Sequence, residues 1–241
     1  MEFALDLPYA ANEENIIYIM EQNNYSRDQA IQHDYQMNWK WKRRDFSLQT
    51  RCMTALYERL FGYINTKDCR KILIECINNE ADRSIKNLLG VYVTQIQNNQ
   101  EAFGKLSDLD KKKVTLEILL GGIKKIAAEE KWEMEPFERT YAKIVEAGYK
   151  NEWVWNKPVK SPDKKHIVKV LVQHEVNAID IFIVFSDNRG VEIQRNRIIT
   201  EEPDEWAYSS HLGEIKWLDD NNIALTNKMK DKKWQVEFLD I

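Results

Sequence analysis

The chain has 241 residues, room for one large domain or two small ones. Its 43% hydrophobic and 31% charged residues exclude a disordered chain. A net charge of −4, with both signs well mixed, excludes the broad positive field of a general nucleic-acid binder.

The first residues, Met1-Glu-Phe-Ala-Leu-Asp-Leu-Pro8, carry no positive leader, apolar stretch or small-residue cleavage site, so no signal peptide is expected. The longest apolar runs, Val170–Val172 and Ile179–Phe185, fall far short of the roughly 20 residues of a membrane-spanning helix. The expectation is a cytoplasmic protein with no membrane partner.

The predicted elements begin with a helix over 12–23, with Ile16, Ile17 and Met20 at helical spacing behind Asn12 as cap. Ser26-Arg-Asp-Gln29 is a capping box and opens a second helix running toward Trp39–Lys42. Ser47 starts a third, with Cys52, Ala55 or Leu56, Leu60 and Tyr63 on one face. Thr66 caps a fourth, striped by Ile72, Leu73, Cys76 and Ile77, and Ile85, Leu88, Leu89, Tyr92, Val93 and Ile96 mark a fifth.

Ser107-Asp-Leu-Asp110 begins a long helix through Val114, Ile118, Leu119, Ile123 and Ile126. Gly121-Gly122 inside it costs about 1 kcal/mol per glycine relative to alanine and points to a kink or a close helix crossing. Pro136 and Gly148 bracket the last helix in the preferred order.

The period then changes. Residues 152–163, with Pro158 and Pro162, read as a linker or a crossing strand. From His166 the apolar period is two: Val168, Val170, Val172 and Val176, then Ile179, Ile181, Ile183 and Phe185. Asp187-Asn-Arg-Gly190 is a hairpin turn, Val191–Ile199 alternates again, Asp219-Asp-Asn-Asn222 turns between 213–218 and 223–226, and Trp234–Leu239 closes the sheet. The fold class expected is α+β: an N-terminal helical bundle over 1–150, followed by a C-terminal antiparallel β-sheet or sandwich over 151–241.

Chemistry-bearing patterns are sparse. Cys52, Cys69 and Cys76 do not form a disulfide framework. Cys69 and Cys76, seven apart on an expected helix face, read as small apolar residues rather than a metal pair. His166 and His174 on one strand are about 26 Å apart and share no ion. No metal site and no cofactor are expected.

Pro203-Asp204 followed by Glu214-Ile-Lys216 spells a PD-(D/E)xK nuclease string, in which two carboxylates hold Mg²⁺ and the lysine steadies water. The simpler reading is a solvent-facing strand edge, with Ile215 and Trp217 turned inward. Trp39-Lys-Trp41-Lys-Arg-Arg44 interleaves rings and cations as single-strand binders do. It reads first as a helix C-terminus whose cations suit the dipole.

The clearest charge feature lies between Thr200 and Asn222, where seven carboxylates meet one cation, Lys216. Glu201, Glu202, Asp204, Glu205, Asp219 and Asp220 are the expected docking face for a basic protein partner, with Trp206 and Tyr208 as aromatic anchors. That face requires the 200–206 loop and the 219–222 turn to converge. Charge reversal by Glu202→Lys with Asp219→Lys is then expected to slow association and to leave stability almost unchanged.

The segments Ser161-Pro-Asp-Lys-Lys-His-Ile-Val-Lys-Val170 and Gly213-Glu-Ile-Lys-Trp-Leu-Asp-Asp-Asn-Asn-Ile-Ala-Leu-Thr-Asn227 resemble small uncharacterised β domains of Gram-positive bacteria. A helical body joined to such a module resembles immunity proteins of bacterial toxin systems. The resemblance implies a non-enzymatic binder of a toxin domain. A metal-dependent nuclease using Asp204, Glu214 and Lys216, or a nucleic-acid-associated protein using Trp39 to Arg44, is the alternative.

Overall fold

In the computed structural model, which describes residues 1–62, 64–66, 68–79 and 84–239, the chain divides into two units, Met1–Tyr149 and Lys150–Ile241. The first runs β1 (Glu2–Asp6), α1 (Glu13–Asn23), α2 (Arg27–Asp34), α3 (Lys40–Leu60), β2 (Lys71–Ile77), β3 (Lys86–Leu88), β4 (Val91–Gln97), α4 (Gln100–Gly104), α5 (Asp108–Glu130) and α6 (Glu135–Glu146). A π-helical segment, Tyr35–Trp39, joins α2 to α3.

This unit is not a helical bundle. Its centre is a four-stranded sheet in the order β1-β2-β4-β3, with β1, β2 and β4 parallel and β3 antiparallel at one edge. The expected fourth and fifth helices are β2 and the β3–β4 hairpin. In β2 the buried residues are Ile72, Ile74 and Cys76, every second position, so Cys69 and Cys76 share no helix face. The hairpin turns at Leu89-Gly90, both with positive φ, the backbone of a two-residue primed turn. Tyr63, placed by sequence on the α3 stripe, lies outside the described residues. Ser47 starts no helix, because α3 runs through it.

Other local signals hold. Asn12 caps α1, Ser26 and Gln29 form the capping box of α2, and Ser107 caps α5. Helix α5 continues without a break through Gly121-Gly122. A Cβ on Gly122 would lie 2.4 Å from Ile74 Cδ1, so the glycine lets α5 settle onto β2. The core joins Phe3 and Leu5 of β1, Met53, Leu56 and Tyr57 of α3, Ile72 and Ile74 of β2, Leu116, Leu119, Ile123 and Ile126 of α5, and Phe137 of α6. At the β1 end of the sheet, Phe3 N–H donates to Glu58 Oε1 of α3 at 2.8 Å. This satisfies a donor that an edge strand leaves open.

The second unit contains β5 (Glu152–Lys160), β6 (His166–His174), β7 (Ile179–Asp187), β8 (Glu192–Glu201), α7 (Glu205–Tyr208), β9 (Glu214–Trp217), β10 (Asn222–Thr226) and β11 (Lys233–Glu237). One sheet has the order β5-β6-β7-β8 and the other β11-β10-β9, and every pairing is antiparallel. The whole chain is therefore a mixed α+β protein. The stretch read as a linker or a crossing strand is, over Glu152–Lys160, the edge strand β5. Its Pro158 sits where the register shifts between Trp155 and Val159, the place in a ladder where a missing N–H does least harm. Both sheets feed one core, with Val168, Val170, Ile181, Ile183 and Phe185 from the first and Trp217, Ile223, Leu225 and Val236 from the second. Among the described residues, no helix is long and apolar enough to cross a membrane.

Candidate functional site

The 200–208 segment is built by the end of β8 and the turn that follows. Glu201 Oε1 lies 2.8 Å from His211 Nε2. Asp204 caps α7 by accepting Trp206 N–H at 2.8 Å. Tyr208 is buried and packs beside Trp153, so it is a core residue and not an anchor. Trp206 is the reverse: 90% of its surface is exposed, with Glu202 exposed and Asp204 and Glu205 half-buried around it.

Asp219 and Asp220 do not join this cluster. Glu201 pairs with Ile179 at the start of β7. The 219–222 turn meets the opposite end: Phe238 N–H donates to Asn221 O, Gln194 bonds Glu237 O and Leu239 N–H, and Gln194 pairs with Phe185. From Ile179 to Phe185 is six residues, about 20 Å of strand. The two acidic segments stand at opposite ends of the sheet, and the single face expected from sequence is two. Asp219 has a local task. Its carboxylate accepts Asn221 N–H, Asn222 N–H and Asn222 Nδ2, and these bonds hold its pKa below the ordinary carboxylate value.

Of the residues in the nuclease string, Asp204 caps α7 through Oδ1, Glu214 and Lys216 are exposed on β9, and the neighbouring Trp217 is buried. Among the described residues, no group of three His, Cys, Asp or Glu is placed to hold a metal ion.

A second candidate lies in the first unit, at the carboxyl ends of its parallel strands, where open α/β sheets place their ligands. Leu7 follows β1, Asn78 follows β2, and Gln100 follows β4 and opens α4. Asn98 N–H donates to Ile77 O, Gln97 Nε2 to Asn78 O, and Gln100 N–H to Asn78 Oδ1 at 3.1 Å, so the loops are laced together. Between them and the start of α3 opens a cavity of about 520 Å³ lined by Leu7, Trp39, Trp41, Lys42, Phe46, Asn78, Gln100 and Phe103, among others. Trp39 is anchored through Nε1 to Leu7 O at 3.3 Å. Lys42 Nζ sits 5.8 Å from the Trp39 ring and 5.5 Å from the Trp41 ring.

No protein-family model, curated protein or solved structure matches the chain.

Behind Trp39 stands a polar support. Tyr9 meets Trp39 edge-on at 5.8 Å, and its hydroxyl donates to Asp34 Oδ2 at 2.6 Å. Burial and the Asp34 carboxylate push the Tyr9 pKa up to about 12. Sequence reading singled out the Trp39–Arg44 run for its rings and cations, but its use differs. Arg43 is tied to Asp6 by two 2.7 Å bonds, while Trp39, Trp41 and Lys42 form the cavity wall. The cavity itself escaped sequence reading because it depends on three parallel strands, of which β2 and β4 were read as helices and β1 was assigned no element.

Proposed function

We propose that this chain is a non-enzymatic binding protein that seats a basic protein partner on the 201–206 segment. The reading that likens the chain to bacterial immunity proteins makes that partner a toxin domain. The observation that carries the proposal is Trp206, 90% exposed on a turn capped by Asp204. Exposed tryptophan contributes little to a fold. At interfaces it is among the side chains that dominate binding, in a ring of polar groups that exclude water. Glu202, Asp204 and Glu205 supply such a ring, with the sign that attracts a basic surface. Sequence predicted eight contact residues; the structure supports a smaller set centred on Trp206, without Tyr208, Asp219 and Asp220.

The test is affinity capture with the full chain from its native cell, followed by binding measurements on the captured protein. Trp206→Ala is expected to weaken binding by about 2 kcal/mol or more, the scale of an interface hot spot. Its thermal midpoint should match the parent. A captured partner that binds Trp206→Ala and Glu202→Lys as tightly as the parent would remove this reading.

A further inference from the structure

We propose that the chain self-associates head to tail, with the outer face of α1 of one copy seated on the β10–β11 turn, residues 227–233, of a second copy. Neither surface includes Trp206.

The α1 surface is apolar at its centre and anionic at its rim. Only Ile16 and Ile19 of α1 are buried, packed with Ala30 of α2 in a small core of their own. On the outer side Glu14, Ile17, Tyr18 and Glu21 follow at i, i+3, i+4 and i+7, which puts them on one face of the helix. Ile17 is 51% and Tyr18 60% exposed, and an exposed glutamate stands one turn to either side of them. Residues 12–38, which hold α1 and α2, carry five carboxylates and one cation, Arg27, a surplus equal to the net charge of −4 of the whole chain. Arg27 is already paired with Glu13 at 2.7 Å. Such a surface repels a copy of itself and favours a cationic one.

The β10–β11 turn is the counterpart. Lys228, Lys230, Lys232 and Lys233 are all exposed and surround Met229, 79% exposed. The turn is fixed from inside: Asn227 Oδ1 accepts Asp231 N–H and Lys232 N–H at 3.1 Å each. Asn227 Nδ2 donates to Asp231 Oδ1 at 2.6 Å, which occupies the one carboxylate of the turn. Among the described residues, neither Glu14 nor Glu21 nor any of the four lysines is in an ion pair. A fixed turn loses little freedom on docking, and the unbranched Met side chain adapts to an irregular apolar surface. An apolar centre inside a polar rim is the anatomy of a specific protein contact. Here one rim is anionic and the other cationic, so the chain carries both halves of one interface. That selects a second copy over a foreign partner.

Two different surfaces make a heterologous contact, which closes into a ring or grows as an open chain. A helix face against a short turn belongs to the transient class, below about 1,200 Å² of buried surface, so the association is weak and reversible.

Sedimentation velocity of the full chain tests this. At low salt the mean mass is expected to rise above the monomer as concentration increases from micromolar to near millimolar. It should return to the monomer at about 1 M salt, where charges are screened within about 3 Å. Glu14→Lys with Glu21→Lys, and separately Lys228→Glu with Lys230→Glu, should each stay monomeric. Mixed, the two should form a one-to-one complex, because the first keeps an intact turn and the second an intact α1. Misfolded variants could not give that recovery. Tyr18→Ala should weaken association of the parent about tenfold, the scale of one interface anchor, with an unchanged thermal midpoint. A parent that stays monomeric to the highest concentration overturns the proposal. So do reversed variants that associate as the parent does, or a mixture of the two that forms no complex. Binding of a lysine–leucine helical peptide at α1 of a parent that stays monomeric would assign that face to a foreign basic protein instead.

Discussion

Asp34 shows how one carboxylate positions a site it does not line. It is 5% exposed and accepts from Tyr9 Oη, Asn15 Nδ2 and Asn38 Nδ2, so α1, the π-helical segment and the loop after β1 meet on one side chain. Burial alone would raise its pKa, but the hydrogen bonds from Tyr9, Asn38 and Asn15, with the Lys42 charge, outweigh burial and lower it. A carboxylate whose folded pKa lies below its unfolded value, about 3.9, contributes stability that is present above that pH and is lost as pH falls through the folded value. Asp34→Asn puts an amide N–H₂ among groups that are themselves donors. It is expected to cost about 1–3 kcal/mol at pH 7, and the gap to the parent should narrow as pH drops below about 4. Urea unfolding of both proteins at pH 7 and near pH 3 measures this, and an equal gap at the two pH values would refute it.

At the scale of elements, two glycines look alike in sequence and differ in what surrounds them. A Cβ on Gly122 would meet Ile74 Cδ1 and Cγ1, whereas a Cβ on Gly213 would meet the Asn227 carbonyl at 2.4 Å and Thr226 O at 2.5 Å. Side-chain ends can shift; the backbone at the end of the β9–β10 pairing, where Gly213 N–H donates to Thr226 O, cannot without breaking that bond. Gly122→Ala gains about 1 kcal/mol of helix propensity against an overpacking cost of about 1–3 kcal/mol, leaving a small net loss that Ile74→Val should partly restore. Gly213→Ala has no such offset and should be the more damaging. Chemical denaturation of the two variants ranks them, and the reverse order would contradict the packing described here. These neighbours also show what sequence can carry. Caps at Asn12, Ser26 and Ser107 are local hydrogen-bond chemistry and were readable, as was the period of two from Val168 to Phe185. The seven residues of β2 were not: Ile72, Leu73, Cys76 and Ile77 fit a helix stripe as well as a strand, and over so short a run periodicity cannot separate them. Only the partners on either side, Phe3 of β1 and Tyr92 of β4, make Ile72 a strand residue, and those partners are 69 and 20 positions away in the chain. The cavity at the carboxyl ends of these strands shares that origin, because its walls come together only once β1, β2 and β4 run parallel.

Across the whole molecule, the two acidic segments of the β unit should act independently. They are separated by about 20 Å of strand, and charges at physiological salt are screened within about 8–10 Å. Glu202→Lys with Glu205→Lys is expected to slow association with the captured partner and to blunt the salt dependence of that rate, since charges near a docking point act on encounter. Asp220→Lys should leave the rate near the parent value. The triple variant should match the sum of the two effects within about 0.5 kcal/mol, as distant sites do. Asp219 differs from both groups. Its carboxylate organises the β9–β10 turn through Asn221 and Asn222, so Asp219→Lys should lower the thermal midpoint while leaving partner association alone, the opposite of the behaviour expected from sequence. Stopped-flow association and thermal unfolding on the same set of variants separate these outcomes. Slowed association in Asp220→Lys comparable to that of the Glu202 and Glu205 pair would mean that the partner spans both ends of the sheet, and the Trp206-centred contact would then be too small a description of the interface.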